Sequence, residues 1–210
     1  MAKIYLLNNI KYEGVENLDV FGIEFIESKI DLDNYDALIF TSKNAIYAIE
    51  SFNKSWKYIP SCAIAPKTAK VIKENNGSVF YTGVASHGND FAKELIPLLE
   101  GKKTLYIRAE KTVSKLVELL KDSKIDVDEL IVYRTTCKES NKILEDNSTF
   151  IFTSPSSVEC FLKNYTWKES YKAIAIGKTT AKYLPENINF RISSKTSIEE
   201  CIKLAFDDMT

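Results

Sequence analysis

The segment Ile151-Phe152-Thr153-Ser154-Pro155-Ser156-Ser157-Val158 nearly repeats Ile39-Phe40-Thr41-Ser42-Lys43-Asn44-Ala45-Ile46, which lies 112 residues upstream. A second pair, Ile64-Ala65-Pro66-Lys67-Thr68-Ala69-Lys70 and Ile176-Gly177-Lys178-Thr179-Thr180-Ala181-Lys182, keeps the offset of 112 with no gap between the runs. One match of this kind arises by chance; two in register indicate duplication of a structural unit. Each run reads as an apolar strand that passes through a small hydroxylated turn into a helix. Such a junction leaves several backbone N–H groups without intrahelical partners. The expectation is two similar α/β lobes, each presenting such junctions to a shared cleft.

The 210 residues suffice for two domains of about 100 residues, each able to bury a core. A formal net charge of −1 with 27% charged residues argues against binding nucleic acid through a broad basic surface. Residues 1–8 read as a first strand and lack the pattern of a signal peptide. No apolar run approaches the roughly 20 residues needed to cross a bilayer. A cytoplasmic location follows as the expectation. Cys62, Cys137, Cys160 and Cys201 are dispersed among apolar neighbours with no C-x-x-C pair, so reduced, buried thiols are expected. His87 is the single histidine, in the Gly-rich loop 83–90, which leaves no multi-histidine metal site. No cofactor or metal is expected.

Along the chain, residues 3–7 read as a strand, a weakly amphipathic segment reaches Val20, and residues 22–27 alternate as a second strand, a βαβ-like unit. A similar short unit recurs as strand 103–108, a helix through Val113, Leu116, Val117, Leu119 and Leu120, and strand 129–134. The first long copy reads as strands at 37–40, 62–65 and 79–81 alternating with helices from Lys43, from about Thr68, and over 90–99. The second reads as strands 149–153, 173–176 and 189–192 with helices 155–163, 179–184 and 197–206. Strand alternating with helix means parallel sheets flanked by helices. The order short, long, short, long allows two contiguous lobes or an enclosed middle lobe, and the pattern alone does not choose. In the enclosed arrangement, segments 25–29 and 132–136 form a two-stranded connector.

Gly177-Lys178-Thr179-Thr180 resembles the end of a phosphate-binding P-loop, but Lys172 stands where that motif needs its first glycine. A glycine allowing a tight strand-to-helix turn remains, with N–H groups and hydroxyls suited to a carboxylate or phosphate; plain helix capping by Thr179 or Thr180 explains it equally well. Ser154-Pro155 reads as N-cap and first helical residue, and Ser42 caps the matching helix. Capping alone explains each junction. Four of them at carboxyl ends of parallel strands, where ligands of open α/β sheets bind, suit a polyanionic ligand. Arg108 reads equally as a carboxylate contact or a surface ion pair. Tyr133, between Val132 and Arg134, reads first as an aromatic packing on a sheet face.

Taken together, Phe40-Thr41-Ser42, Arg108, Val132-Tyr133-Arg134-Thr135, Phe152-Thr153-Ser154-Pro155-Ser156, Ala175-Ile176-Gly177-Lys178-Thr179-Thr180-Ala181 and Thr196-Ser197-Ile198 resemble the uroporphyrinogen-III synthase family across nearly the whole chain. Two departures are Ala65-Pro66 in the place analogous to Gly177, and Ala109 after Arg108 where the family often has glycine. The resemblance implies an enclosed middle lobe, with domain 1 at residues 1–24 and 137–210, domain 2 at 31–131, and a connector at 25–30 and 132–136. It further implies a lyase that closes hydroxymethylbilane to uroporphyrinogen III without cofactor, in a monomer that touches the preceding pathway enzyme only transiently. Tyr133 would assist the leaving hydroxyl. Thr41, Ser42, Thr68, Arg108, Ser154, Gly177, Thr179 and Thr180 would bind the substrate. A non-catalytic two-lobed binding protein for a polyanionic small molecule is the alternative architecture of the same kind.

Overall fold

The computed structural model describes residues 2–84 and 87–208; of the loop 83–90, positions 85 and 86 lie outside the described residues. In chain order the strands are β1 (Ile4–Leu7), β2 (Glu16–Asn17), β3 (Phe21–Phe25), β4 (Ala37–Phe40), β5 (Ser61–Ala63), β6 (Val79–Thr82), β7 (Lys103–Ala109), β8 (Asp126–Cys137), β9 (Thr149–Phe152), β10 (Lys172–Ala175) and β11 (Phe190–Ile192). The α-helices are α1 (Lys43–Phe52), α2 (Pro66–Glu74), α3 (Gly88–Leu99), α4 (Leu116–Asp122), α5 (Pro155–Asn164), α6 (Lys178–Ala181) and α7 (Ile198–Asp207). No described helix is long and apolar enough to cross a membrane.

The chain divides into two compact units, one of Met1–Gly22 with Thr135–Thr210 and one of Ile23–Arg134. The first sheet has the order β11-β10-β9-β1-β2 and the second β3-β8-β7-β4-β5-β6. Apart from β3, the two orders are the same once β1 is matched with β7, β2 with β8 and β9 to β11 with β4 to β6. The duplication is therefore topological as well as sequential. β1 and β2 join the sheet of the last long unit, whereas β3, the second strand of the first short unit, joins the other sheet, and the unit Ile23–Arg134 lies in the chain between the two segments of its neighbour. The pairs β1/β9, β9/β10, β4/β7 and β4/β5 are all parallel. Parallel strands covered on both faces should be apolar throughout. In β4, Leu38 and Phe40 enter one core cluster while Ala37 and Ile39 enter another. In β9, Phe150 and Phe152 face one cluster and Ile151 the opposite one.

Two sequence expectations change. The segment between β1 and β3 holds no helix: Gly14, with a positive φ of 71°, turns the chain and two residues of β2 pair beside β1. Tyr12, Val15 and Leu18 recur at a spacing of three, but Gly14 with its positive φ interrupts that short run, and the crossover is a loop. Cys137 and Cys160 form a disulfide where the end of β8 meets α5, whereas Cys62 and Cys201 are free and buried. The spacing of these cysteines, 23 residues, carries no signal of that meeting. The turn 75–77 ends α2 with Asn76 in the left-handed conformation, at φ 61°. Asn76 N–H donates to Lys73 and Gly77 N–H to Ile72, the paired bonds of a Schellman motif. Gly77 serves close approach: a Cβ there would lie 2.5 Å from the buried Trp56 ring.

Burial of neutral titratable groups makes stability depend on alkaline pH. Desolvation, with a hydrogen bond to Asp128, pushes Tyr35 up to about 12, and burial pushes Cys62 up to about 12. Burial also raises Tyr106 and Tyr133. Each group holds its proton more tightly when folded, so its contribution is complete below the unfolded pKa, about 8.5 for Cys and 10 for Tyr, and is lost as pH rises through the folded value. The melting temperature should hold up to about pH 8.5 and fall steadily toward pH 12. An unchanged melting temperature at about pH 11 would contradict this linkage.

Candidate functional site

In the unit Ile23–Arg134, β4 ends at Phe40 and the chain turns through Thr41 and Ser42 into α1. Ser42 is the N-cap, its Oγ accepting from Asn44 N–H at 3.2 Å. The Ser42 hydroxyl neighbours the Tyr133 phenol and acts on its ionisation. Burial raises this phenol above its ordinary value, and the Ser42 contact opposes the rise. The Tyr133 side chain packs in the same cluster as Val132. Strict alternation would put neighbours on opposite faces. The register between β7 and β8 shifts here, Arg108 pairing with Ile131 and Ala109 with Tyr133, so Val132 is the extra residue of a bulge. Bulges re-aim side chains. This one turns Tyr133 to Ser42, which alternation with Val132 and Arg134 does not anticipate.

Beside this pair lies a second hydroxyl pair. Thr41 Oγ1 is 2.8 Å from the hydroxyl of Tyr106, whose side chain is 2% exposed. Sequence reasoning passed over Tyr106 within the run 103–108. The signal was present: a tyrosine in the otherwise buried stretch Thr104-Leu105-Tyr106-Ile107 carries a polar atom that must find a partner.

Arg108 is committed locally. Its Nε pairs with Glu129, and its Nη1 donates to the carbonyls of Ala109 and Glu110 at 2.7 and 2.9 Å. Of its two readings, the ion pair is the contact present. Thr68 lies in the first turn of α2 and is buried, its N–H donating to the Ala65 carbonyl at 3.0 Å. The helix begins at Pro66, two residues before the position read from sequence.

In the other unit, Ser154 caps α5 through a reciprocal box. Ser157 N–H donates to Ser154 Oγ at 3.2 Å, and Ser154 N–H donates to Ser157 Oγ at 3.1 Å. Pro155 takes the first helical position, as its fixed φ favours. Helix α6 begins at Lys178 with Gly177 as N-cap and no side-chain cap, so neither Thr179 nor Thr180 caps it. Thr179 is exposed and Thr180 is buried, 3% exposed.

Gly177 departs from its sequence reading. Its φ of −176° is extended backbone open to any residue. Ala65, its counterpart, has φ −156° and ψ 164°, so the departure at Ala65-Pro66 leaves the backbone path the same. A Cβ at Gly177 would meet only Thr196 Oγ1, at 3.7 Å. The glycine is thus dispensable for the turn, and what it provides is open space above an uncapped helix start.

Each unit therefore sets hydroxyls and helix-start N–H groups at carboxyl ends of parallel strands, a chemistry of hydrogen-bond donors suited to carboxylates. Among the described residues no group of three or more His, Cys, Asp and Glu could hold a metal ion.

Residues 20–203 match the family model described as uroporphyrinogen-III synthase HemD. The chain is similar over 99% of its length, and 99% of the other chain, to the crystal structure of uroporphyrinogen-III synthetase from Helicobacter pylori 26695, with 31% identity and a TM-score of 0.87. A mutant uroporphyrinogen III synthase from the extremely thermophilic bacterium Thermus thermophilus shares the fold at 17% identity and a TM-score of 0.57, over 99% of this chain and 100% of that one. No curated protein sequence gives a match. With the family model covering most of the chain and a full-length structural likeness at 31% identity, the chain belongs to the uroporphyrinogen-III synthase family.

Proposed function

We propose that this protein is a uroporphyrinogen-III synthase, a lyase that cyclises hydroxymethylbilane with loss of water and inversion of the last pyrrole ring. Family membership along the chain carries this reading. The substrate loses its terminal hydroxyl as water to give an electrophilic azafulvene. The last ring attacks it at the substituted carbon, and the spiro intermediate fragments and recloses with that ring inverted. The bilane is reactive enough to close unaided to the wrong isomer, so the protein has to supply orientation and modest acid assistance.

The Tyr133 phenol is the proposed donor to the departing hydroxyl. If Ser42 donates to the phenolic oxygen, the Tyr133 hydrogen is left for the substrate, and burial keeps the phenol neutral. Thr41, Ser42, Thr68, Arg108, Ser154, Gly177, Thr179 and Thr180 are proposed to bind the substrate's eight carboxylates, mostly through hydroxyls or backbone N–H. For Arg108 this requires exchange from Glu129. We further infer that the domains are residues 1–24 with 137–210 and residues 31–131, joined by 25–30 and 132–136. The protein is proposed to act as a cytoplasmic monomer that meets the preceding pathway enzyme transiently. The Cys137–Cys160 disulfide is unusual for that compartment.

Purified protein should speed the loss of freshly generated hydroxymethylbilane over the blank, and equal rates would contradict the proposal. Gly177→Ala supplies a local test. The backbone accepts alanine, so stability should be unchanged or higher by up to about 1 kcal/mol. The added methyl fills space assigned to a carboxylate and should raise KM about threefold to tenfold, equivalent to about 0.7–1.4 kcal/mol. An unaltered KM would remove Gly177 from the site.

A further inference from the structure

We propose that Tyr106 is a positioning residue, its buried phenol donating to Thr41 Oγ1 and thereby turning the Thr41 hydroxyl hydrogen outward to a substrate carboxylate. The inference rests on the proposed binding role of Thr41. Tyr106 is 2% exposed and stands on β7 opposite Ile39 of β4, among Ile39, Phe91, Leu95 and Leu116. Phenylalanine would fill the same volume without a polar atom, so the hydroxyl is the part that calls for a reason. Burying a hydroxyl costs free energy unless it is bonded.

Its bond goes to Thr41 at 2.8 Å, a residue only partly buried at the strand-to-helix turn. Either oxygen could donate on distance alone. The phenol is the better donor of the two, being the more acidic hydroxyl, and burial holds it in the protonated form. When Tyr106 donates, Thr41 keeps its own hydrogen for another acceptor. A hydroxyl that accepts one bond becomes a stronger donor in the next, since chained bonds polarise one another. Thr41 is then an oriented donor rather than a free rotor, and its entropy loss on meeting an anion is already met within the fold.

The test is a double-mutant cycle on the whole protein with Tyr106→Phe, Thr41→Val and the pair. KM for hydroxymethylbilane and the Kd of uroporphyrin III, a stable octacarboxylate, are read together with the melting temperature. Tyr106→Phe should raise KM and Kd about threefold to tenfold with kcat nearly unchanged. Thr41→Val should do the same. In the Thr41→Val background, Tyr106→Phe should have no further effect, because its route to the ligand is gone. Thr41→Ser, which keeps the hydroxyl, should restore the sensitivity.

A purely structural phenol would lower the melting temperature in the Thr41 background and leave KM alone, and that result overturns the inference. Penalties that multiply in the double variant also overturn it, as does an unchanged KM in Thr41→Val. Absence of turnover by the unsubstituted protein would overturn the proposed reaction instead, and the uroporphyrin III arm would still decide the role of Tyr106.

Discussion

Tyr133→Phe is expected to lower the rate of isomer III formation about tenfold to 100-fold, while leaving the fold and melting temperature almost unchanged. Phenylalanine retains the ring that packs with Val132 and Leu130. It removes the hydroxyl that meets Ser42. The effect belongs at the low end of general-acid contributions because the bilane closes without help. Most of the loss should fall on kcat, since the leaving hydroxyl accepts its strongest hydrogen bond as the bond to carbon breaks. Full activity with an unchanged melting temperature would end the assignment of Tyr133 as donor. Lost stability with intact specific activity would return it to packing alone.

Phe150→Ala should cost the unit built from Met1–Gly22 and Thr135–Thr210 about 3–5 kcal/mol, the range for a large aromatic removed from a core. Phe150 is the hub of that core: the rings of Tyr171, Phe161, Tyr5 and Trp167 lie 4.8, 4.9, 5.2 and 5.8 Å from it. Removing it leaves those rings facing a cavity, in addition to the lost burial. The two tryptophans make the effect local to read, because Trp167 belongs to this unit and Trp56 to the other. Urea unfolding followed by Trp167 fluorescence in a Trp56→Phe background should show a midpoint far below that of the parent. Coincident midpoints would mean that Phe150 is not the centre of this core.

What the sequence reveals here depends on whether a feature is local. The repeated runs at 39–46 and 151–158 carry strand, cap and helix within a few residues, and the boundaries of β4 and α1 recur in β9 and α5 displaced by the same spacing as the repeat. Ser42 and Ser154 cap as their positions suggest. Of the two readings of Thr179 and Thr180, helix capping fails because Gly177 occupies the N-cap position. Features that need a partner from far along the chain were hidden. The bulge that aims Tyr133 arises from pairing of β8 with β7, the disulfide from the meeting of Cys137 with α5, and the Tyr106–Thr41 bond from strands that neighbour only in the sheet. Gly177 shows a different failure. Its type suggested a strained turn, whereas its extended backbone shows that only the missing side chain matters.

Every role assigned to these residues depends on the reaction, and the isomer of the product reports it most directly. Freshly generated hydroxymethylbilane, incubated with the purified protein and oxidised to the porphyrin for separation, should give mainly isomer III, while the blank gives isomer I. Isomer I in the blank proportion, from protein shown to be folded, would contradict it.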